Sequence, residues 1–97
     1  MVKDGVGLAD AYQLAALEIE RVQQLPWEDL SPCRDAPWRF GAGDLRRLAD
    51  AHGVLNIVDG YDGDPAVKLV TVALEWRHVR HGRRTVRLIT LVTRVEG

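Results

Sequence analysis

Few residues in this chain have the types and spacing that support covalent chemistry. Ser31 is the only serine and Cys33 the only cysteine, and neither stands at a spacing from His52, His78 or His81 that marks a nucleophile with its base. Gly41 and Gly43 lack the context of a phosphate-cradling loop or a dinucleotide fingerprint. Asp59, Asp62 and Asp64 offer the hard oxygen ligands that calcium prefers, but without the alternating acidic pattern, following glycine and distal glutamate of a calcium loop. Their Asp-Gly and Asp-Pro steps are turn chemistry. A zinc set of Cys33, His52, His78 and His81 fares no better, because the cysteine has no paired ligand nearby. The expectation is therefore no catalytic site, no metal and no cofactor. A small enzyme or ligand-binding domain stands third among the readings, and it would need a pocket lined by Trp27, Trp38 and a histidine.

The densest signal is the run from Arg77 to Arg87, with five arginines (Arg77, Arg80, Arg83, Arg84 and Arg87), two histidines and no acid. Guanidinium groups bind carboxylate and phosphate bidentately, so this run predicts capture of an acidic macromolecular partner. A protein partner is the leading expectation. Nucleic acid is the alternative, since a two-stranded ribbon can enter a groove. The plainer reading is a solvated hairpin whose charges keep an edge soluble or meet acidic residues elsewhere in the chain. Arg87 is also expected over Trp76 as a cross-strand cation and ring pair.

Charge supports a polarised molecule. Thirteen basic and fourteen acidic side chains nearly cancel, yet residues 1–64 hold six basic against twelve acidic, and residues 65–97 seven against two. With 97 residues and 46% hydrophobic composition, the chain is expected to form one domain with a thin core. No run approaches the ~20 apolar residues of a membrane span, and no basic start leads into an apolar stretch with a cleavage site. A bacterial, cytoplasmic protein without a membrane partner is the resulting expectation.

The elements that must present these residues follow from periodicity. Leu8, Tyr12, Ala15, Ile19 and Val22, widened by Ala11, Leu14 and Leu25, form a helical stripe, and Leu17 falls opposite it. Pro26 ends that helix or opens a single turn, and the Pro/Trp segment 26–43 reads as irregular, with Trp27, Trp38 and Phe40 pinning it to the core. Asp44 caps a second expected helix that carries Leu45, Leu48, Ala49 and His52 on one face and stops at Gly53. This resembles the first half of a helix-turn-helix, but Leu55–Gly60 offers β-branched residues and then a turn where a recognition helix should follow.

Three strands are expected, at 54–58, 66–79 and 84–95, with a turn at His81-Gly82. That turn would pair Trp76 with Arg87, Leu74 with Ile89, Val72 with Leu91 and Val70 with Thr93 on the better core face. Thr71, Ala73, Leu88, Thr90 and Val92 would share the other face, which together with Leu17 predicts self-association as a homodimer. The expected fold is thus α+β: two helices packed on a three-stranded antiparallel β-meander with a long C-terminal hairpin. Residues 1–53 would be mainly helical and 54–97 the meander.

Overall fold

A computed structural model describes residues 4–95 of the chain. The α+β class holds, with one α-helix, α1 (Asp4–Gln23), packed on a four-stranded antiparallel meander. The strands are β1 (Cys33–Pro37), β2 (His52–Asp59), β3 (Val67–His78) and β4 (Gly82–Thr93), in the order β1-β2-β3-β4. Short 3-10 turns at Trp27–Asp29, Ala42–Arg47 and Tyr61–Gly63 connect them. Among the described residues, no helix is long and apolar enough to cross a membrane.

The long first helix forms as its stripe dictates. Ala11, Leu14, Ala15 and Val22 are buried against Leu55, Ile57, Val70, Val72, Leu74 and Trp76 of the sheet, while Leu17 is exposed on the far side. Leu8 and Tyr12 do not join this core and stay about half exposed. Pro26 then starts a single 3-10 turn, its lack of an amide hydrogen costing nothing at that position.

The second expected helix does not form. Only Ala42–Arg47 winds, as a 3-10 turn, and Asp50 takes a positive φ of 53° before the chain enters β2 at His52. A helix of eight or so residues is marginal on its own, whereas β3 is long enough to pair with two more residues at that end. His52 and Gly53 therefore pair with Glu75 and Leu74, giving their backbone groups ladder partners, so His52 is a strand residue and Gly53 is no helix stop.

A fourth strand lies in the segment expected to be irregular. Cys33–Pro37 pairs with β2 through a bulge, at which Asp35 adopts φ 51° and donates its amide to Asn56 Oδ1 at 2.9 Å. Pro37 is tolerated because it ends an edge strand.

The long hairpin is present, but its register differs from the expected one. The loop is the three residues Val79–His81, with Gly82 at φ 69° as the first residue of β4. In a three-residue loop the left-handed position follows the turn, so the glycine closes the loop instead of sitting at its centre. Trp76 pairs with Arg84, Leu74 with Val86, Val72 with Leu88 and Val70 with Thr90. This is an odd displacement from the expected pairing, and it exchanges the faces of β4. Leu88, Thr90 and Val92 thus share the helix-covered face with Val70, Val72 and Leu74, apart from Thr71 and Ala73 on the open face. Arg87 lies opposite Ala73, not Trp76.

Candidate binding face

The face of the sheet away from α1 has no element over it among the described residues, and the register orders its side chains into rows across β2, β3 and β4. At the hairpin end Arg77 faces Arg83. The next row is His52, Glu75 and Thr85, followed by Val54, Ala73 and Arg87, then Asn56, Thr71 and Ile89, then Val58, Leu69 and Leu91. The face grades from charged to apolar along the strands. Ile89 and Leu91 are 60% and 51% exposed, large values for apolar strand residues.

Two shallow depressions share the middle of this face. One is lined by His52, Val54, Ala73, Glu75, Thr85 and Arg87, and the other by Asp35, Asn56, Thr71, Ala73, Arg87 and Ile89. Ala73 makes both possible, because its methyl leaves a gap between longer neighbours, and Arg87 borders both.

The five arginines expected to act together are divided by the pleat. Arg77, Arg83 and Arg87 belong to the open face, Arg84 to the helix-covered face beside Trp76, and Arg80 to the loop. Arg83 is already neutralised: its Nε donates to Glu75 Oε1 at 2.9 Å, and its guanidinium lies 3.7 Å from Asp50. The loop is ordered by His78, whose Nδ1 accepts the amides of Arg80 and His81, while the two imidazoles stack 4.7 Å apart. Arg87 makes no ion pair or hydrogen bond with another side chain among the described residues, so its guanidinium is available to a ligand.

The aromatic pocket that a small enzyme or ligand-binding domain would need, lined by Trp27, Trp38 and a histidine, is not assembled. Trp38 is buried under α1, with its indole Nε1 3.2 Å from the carbonyls of Val54 and Ala73. Trp27 instead lies under the Lys68 ammonium, 4.6 Å from its ring centre, and His52 is on the opposite side of the sheet from Trp38. Phe40 is 43% exposed and lies outside the buried core cluster. Among the described residues no three of His, Cys, Asp and Glu are grouped to hold a metal ion. Asp59 and Asp64 do turn work, the first 3.4 Å from Lys68 Nζ and the second accepting the Ala66 amide.

Two buried charged residues escaped the sequence reading. Glu18 is 1% exposed and accepts the backbone amides of Arg39, Phe40 and Gly41 at 2.8, 3.2 and 2.7 Å. Its signal was the spacing, since 11, 14, 15, 18 and 22 lie on one helical face. Lys68 is buried at the start of β3, donating to the carbonyls of Trp27 and Leu30. Alternation along 68, 70, 72, 74 and 76 assigns it to the core face. Glu18 ties residues 39–41 to α1 and Lys68 ties the 27–30 turn to β3, and neither borders the open face. No protein-family model, curated protein or solved structure matches this chain.

Proposed function

We propose that this protein is a non-catalytic interaction module that captures an acidic, partly apolar segment of another protein on its open sheet face. The observation that carries this reading is Arg87, an arginine without a carboxylate partner among the described residues, set between two shallow depressions and beside exposed Ile89 and Leu91. A segment alternating carboxylate and aliphatic side chains matches that surface chemically, with a charge-assisted bond to Arg87 and apolar contact along the last two rows.

A protein segment fits better than a nucleic acid. Arg83 is occupied by Glu75 and Asp50, so Arg87 stands alone in the middle of the face, which suits one carboxylate of a segment better than the continuous charge of a phosphate backbone. The exposed aliphatic rows have no partner in a sugar-phosphate backbone.

The test is a titration of isotope-labelled protein with a synthetic peptide alternating glutamate and leucine, alongside single- and double-stranded oligonucleotides at low salt. The peptide should shift amide resonances of 54–58, 69–75 and 85–91, and Arg87→Ala should weaken binding about tenfold or more. Oligonucleotide binding with a steep salt dependence and no response to the peptide would replace this reading with the nucleic-acid one.

A further inference from the structure

The two edges of the sheet are treated differently. β1 is short, interrupted by a bulge at Asp35 and ended by Pro37, devices that block strand addition. β4 runs twelve residues in unbroken register with β3, without proline or bulge, and nothing among the described residues pairs with its outer edge. Its helix-side residues Val86, Leu88, Thr90 and Val92 are only partly buried.

The helix above supplies a matching apolar flank. Asp10 reaches Arg47 and Glu18 reaches the amides of residues 39–41, which fixes one flank of α1 toward the segment between β1 and β2. At about 100° per residue, the opposite flank, above β4, carries Leu8, Tyr12, Ala16 and Ile19, with no charge among them. Leu8 and Tyr12 are 46% and 56% exposed there. Gln23 and Thr93 line one depression at the far end of this flank. Stepping back at about 3.3 Å per strand residue and about 1.5 Å per helix residue brings Tyr12 level with Leu88.

We infer that a second copy of this chain docks on this edge, β4 pairing antiparallel with its mate about a two-fold axis through Leu88, to form a continuous eight-stranded sheet with the Tyr12 flanks of the two helices in contact. The register follows from charge. Centred on Leu88, the pairing engages Arg83 to Thr93, sets Arg84 against Val92 and Arg87 against Ile89, and opposes no two arginines. One residue earlier the axis sets Arg87 against itself, and one later it sets Arg84 against Arg94. An edge about 35 Å long and two layers, roughly 20 Å, deep offers about 700 Å², near the ~800 Å² each partner buries in a specific complex. Leu17 lies on the Asp10 flank and outside this contact.

Sedimentation equilibrium of the protein without any ligand tests this, with circular dichroism confirming that each variant is folded. The wild type should show twice the 10.8 kDa of one chain at micromolar concentration. Ile89→Lys, which opposes Arg87 of the mate twice, should raise the dissociation constant roughly tenfold or more. Tyr12→Glu, which sets two carboxylates at the axis, should do the same. Ile89→Glu should stay dimeric, because each new carboxylate meets an arginine of the mate. A monomeric wild type at 100 μM overturns the inference. So do a folded Ile89→Lys that remains dimeric and an Ile89→Glu that dissociates as readily as Ile89→Lys. These outcomes are independent of whether the open face binds the acidic peptide.

Discussion

Trp38 lies against the backbone of Gly53 so closely that a Cβ added to the glycine would be 2.6 Å from its Cε2. The indole takes the place that a side chain on β2 would otherwise fill, and its Nε1 reaches the carbonyls of Val54 and Ala73. Gly53→Ala should therefore push the indole off the sheet and lower stability by about 2–3 kcal/mol, as overpacking of a filled core does. Urea denaturation checks this. Replacing Trp38 by leucine in the same background should recover part of the loss, since the clash then disappears; equal stability of Gly53→Ala and wild type would show that the ring has room to move.

Glu18 extends the same contact chain to the helix, because Gly41, whose amide it accepts, follows Trp38 by three residues. Glu18→Ala leaves three amides without their acceptor, that of Gly41 buried and those of Arg39 and Phe40 part-buried, a loss of about 3 kcal/mol given that bonds to charged groups contribute about 1.5–3 each and water can replace part of the two outer ones. Glu18→Gln keeps one carbonyl oxygen and should lose roughly half as much. Hydrogen exchange at the amides of Arg39, Phe40 and Gly41 would separate a local loosening from global unfolding, and an acceleration larger at these three than in the core strands is the expected pattern.

These residues also show where the sequence was legible. The first helix, the long hairpin and the α+β class follow from periodicity, which local sequence carries by itself. The status of 44–53 does not, because only the partner strand decides whether His52 and Gly53 extend a helix or a ladder. The same limit applies to β4. Its alternation admits either face, and Gly82 at the end of a three-residue loop, not at the centre of a two-residue one, chooses between them. The arginine run 77–87 was legible in the sequence, but its division between two faces and a loop was not, nor was the pairing of Arg83 with Glu75. Arg87 emerges as the residue of interest only once the register assigns it to the open face.

Lys68 is expected to stabilise the chain through both its stem and its charge. The ammonium holds the Trp27 and Leu30 carbonyls and lies over the Trp27 ring, while the methylenes fill the edge of the core. Lys68→Met preserves the stem and leaves those carbonyls to water or to no partner, for a loss of about 1–3 kcal/mol. Lys68→Ala removes the stem as well and should lose more. Thermal melts of the two variants check the order, and identical melts would mean that only the charge matters.

Arg83 and Arg87 occupy the same strand and face but should respond differently to removal. Arg83 pairs with Glu75 on an exposed surface, and such pairs couple by under about 1 kcal/mol and weaken with salt. A double-mutant cycle on Arg83 and Glu75 should return a coupling in that range that shrinks in 1 M sodium chloride. Arg87 has no partner to lose among the described residues, so Arg87→Ala should leave the stability of the isolated chain within about 0.5 kcal/mol of wild type. The binding experiment then reverses the order. Arg87→Ala should impair capture of the acidic peptide, whereas Arg83→Ala should have the smaller effect, because it removes a guanidinium that Glu75 already holds, even though it leaves Glu75 free to repel the ligand. A larger binding loss for Arg83→Ala than for Arg87→Ala would move the contact from the centre of the sheet to the hairpin tip.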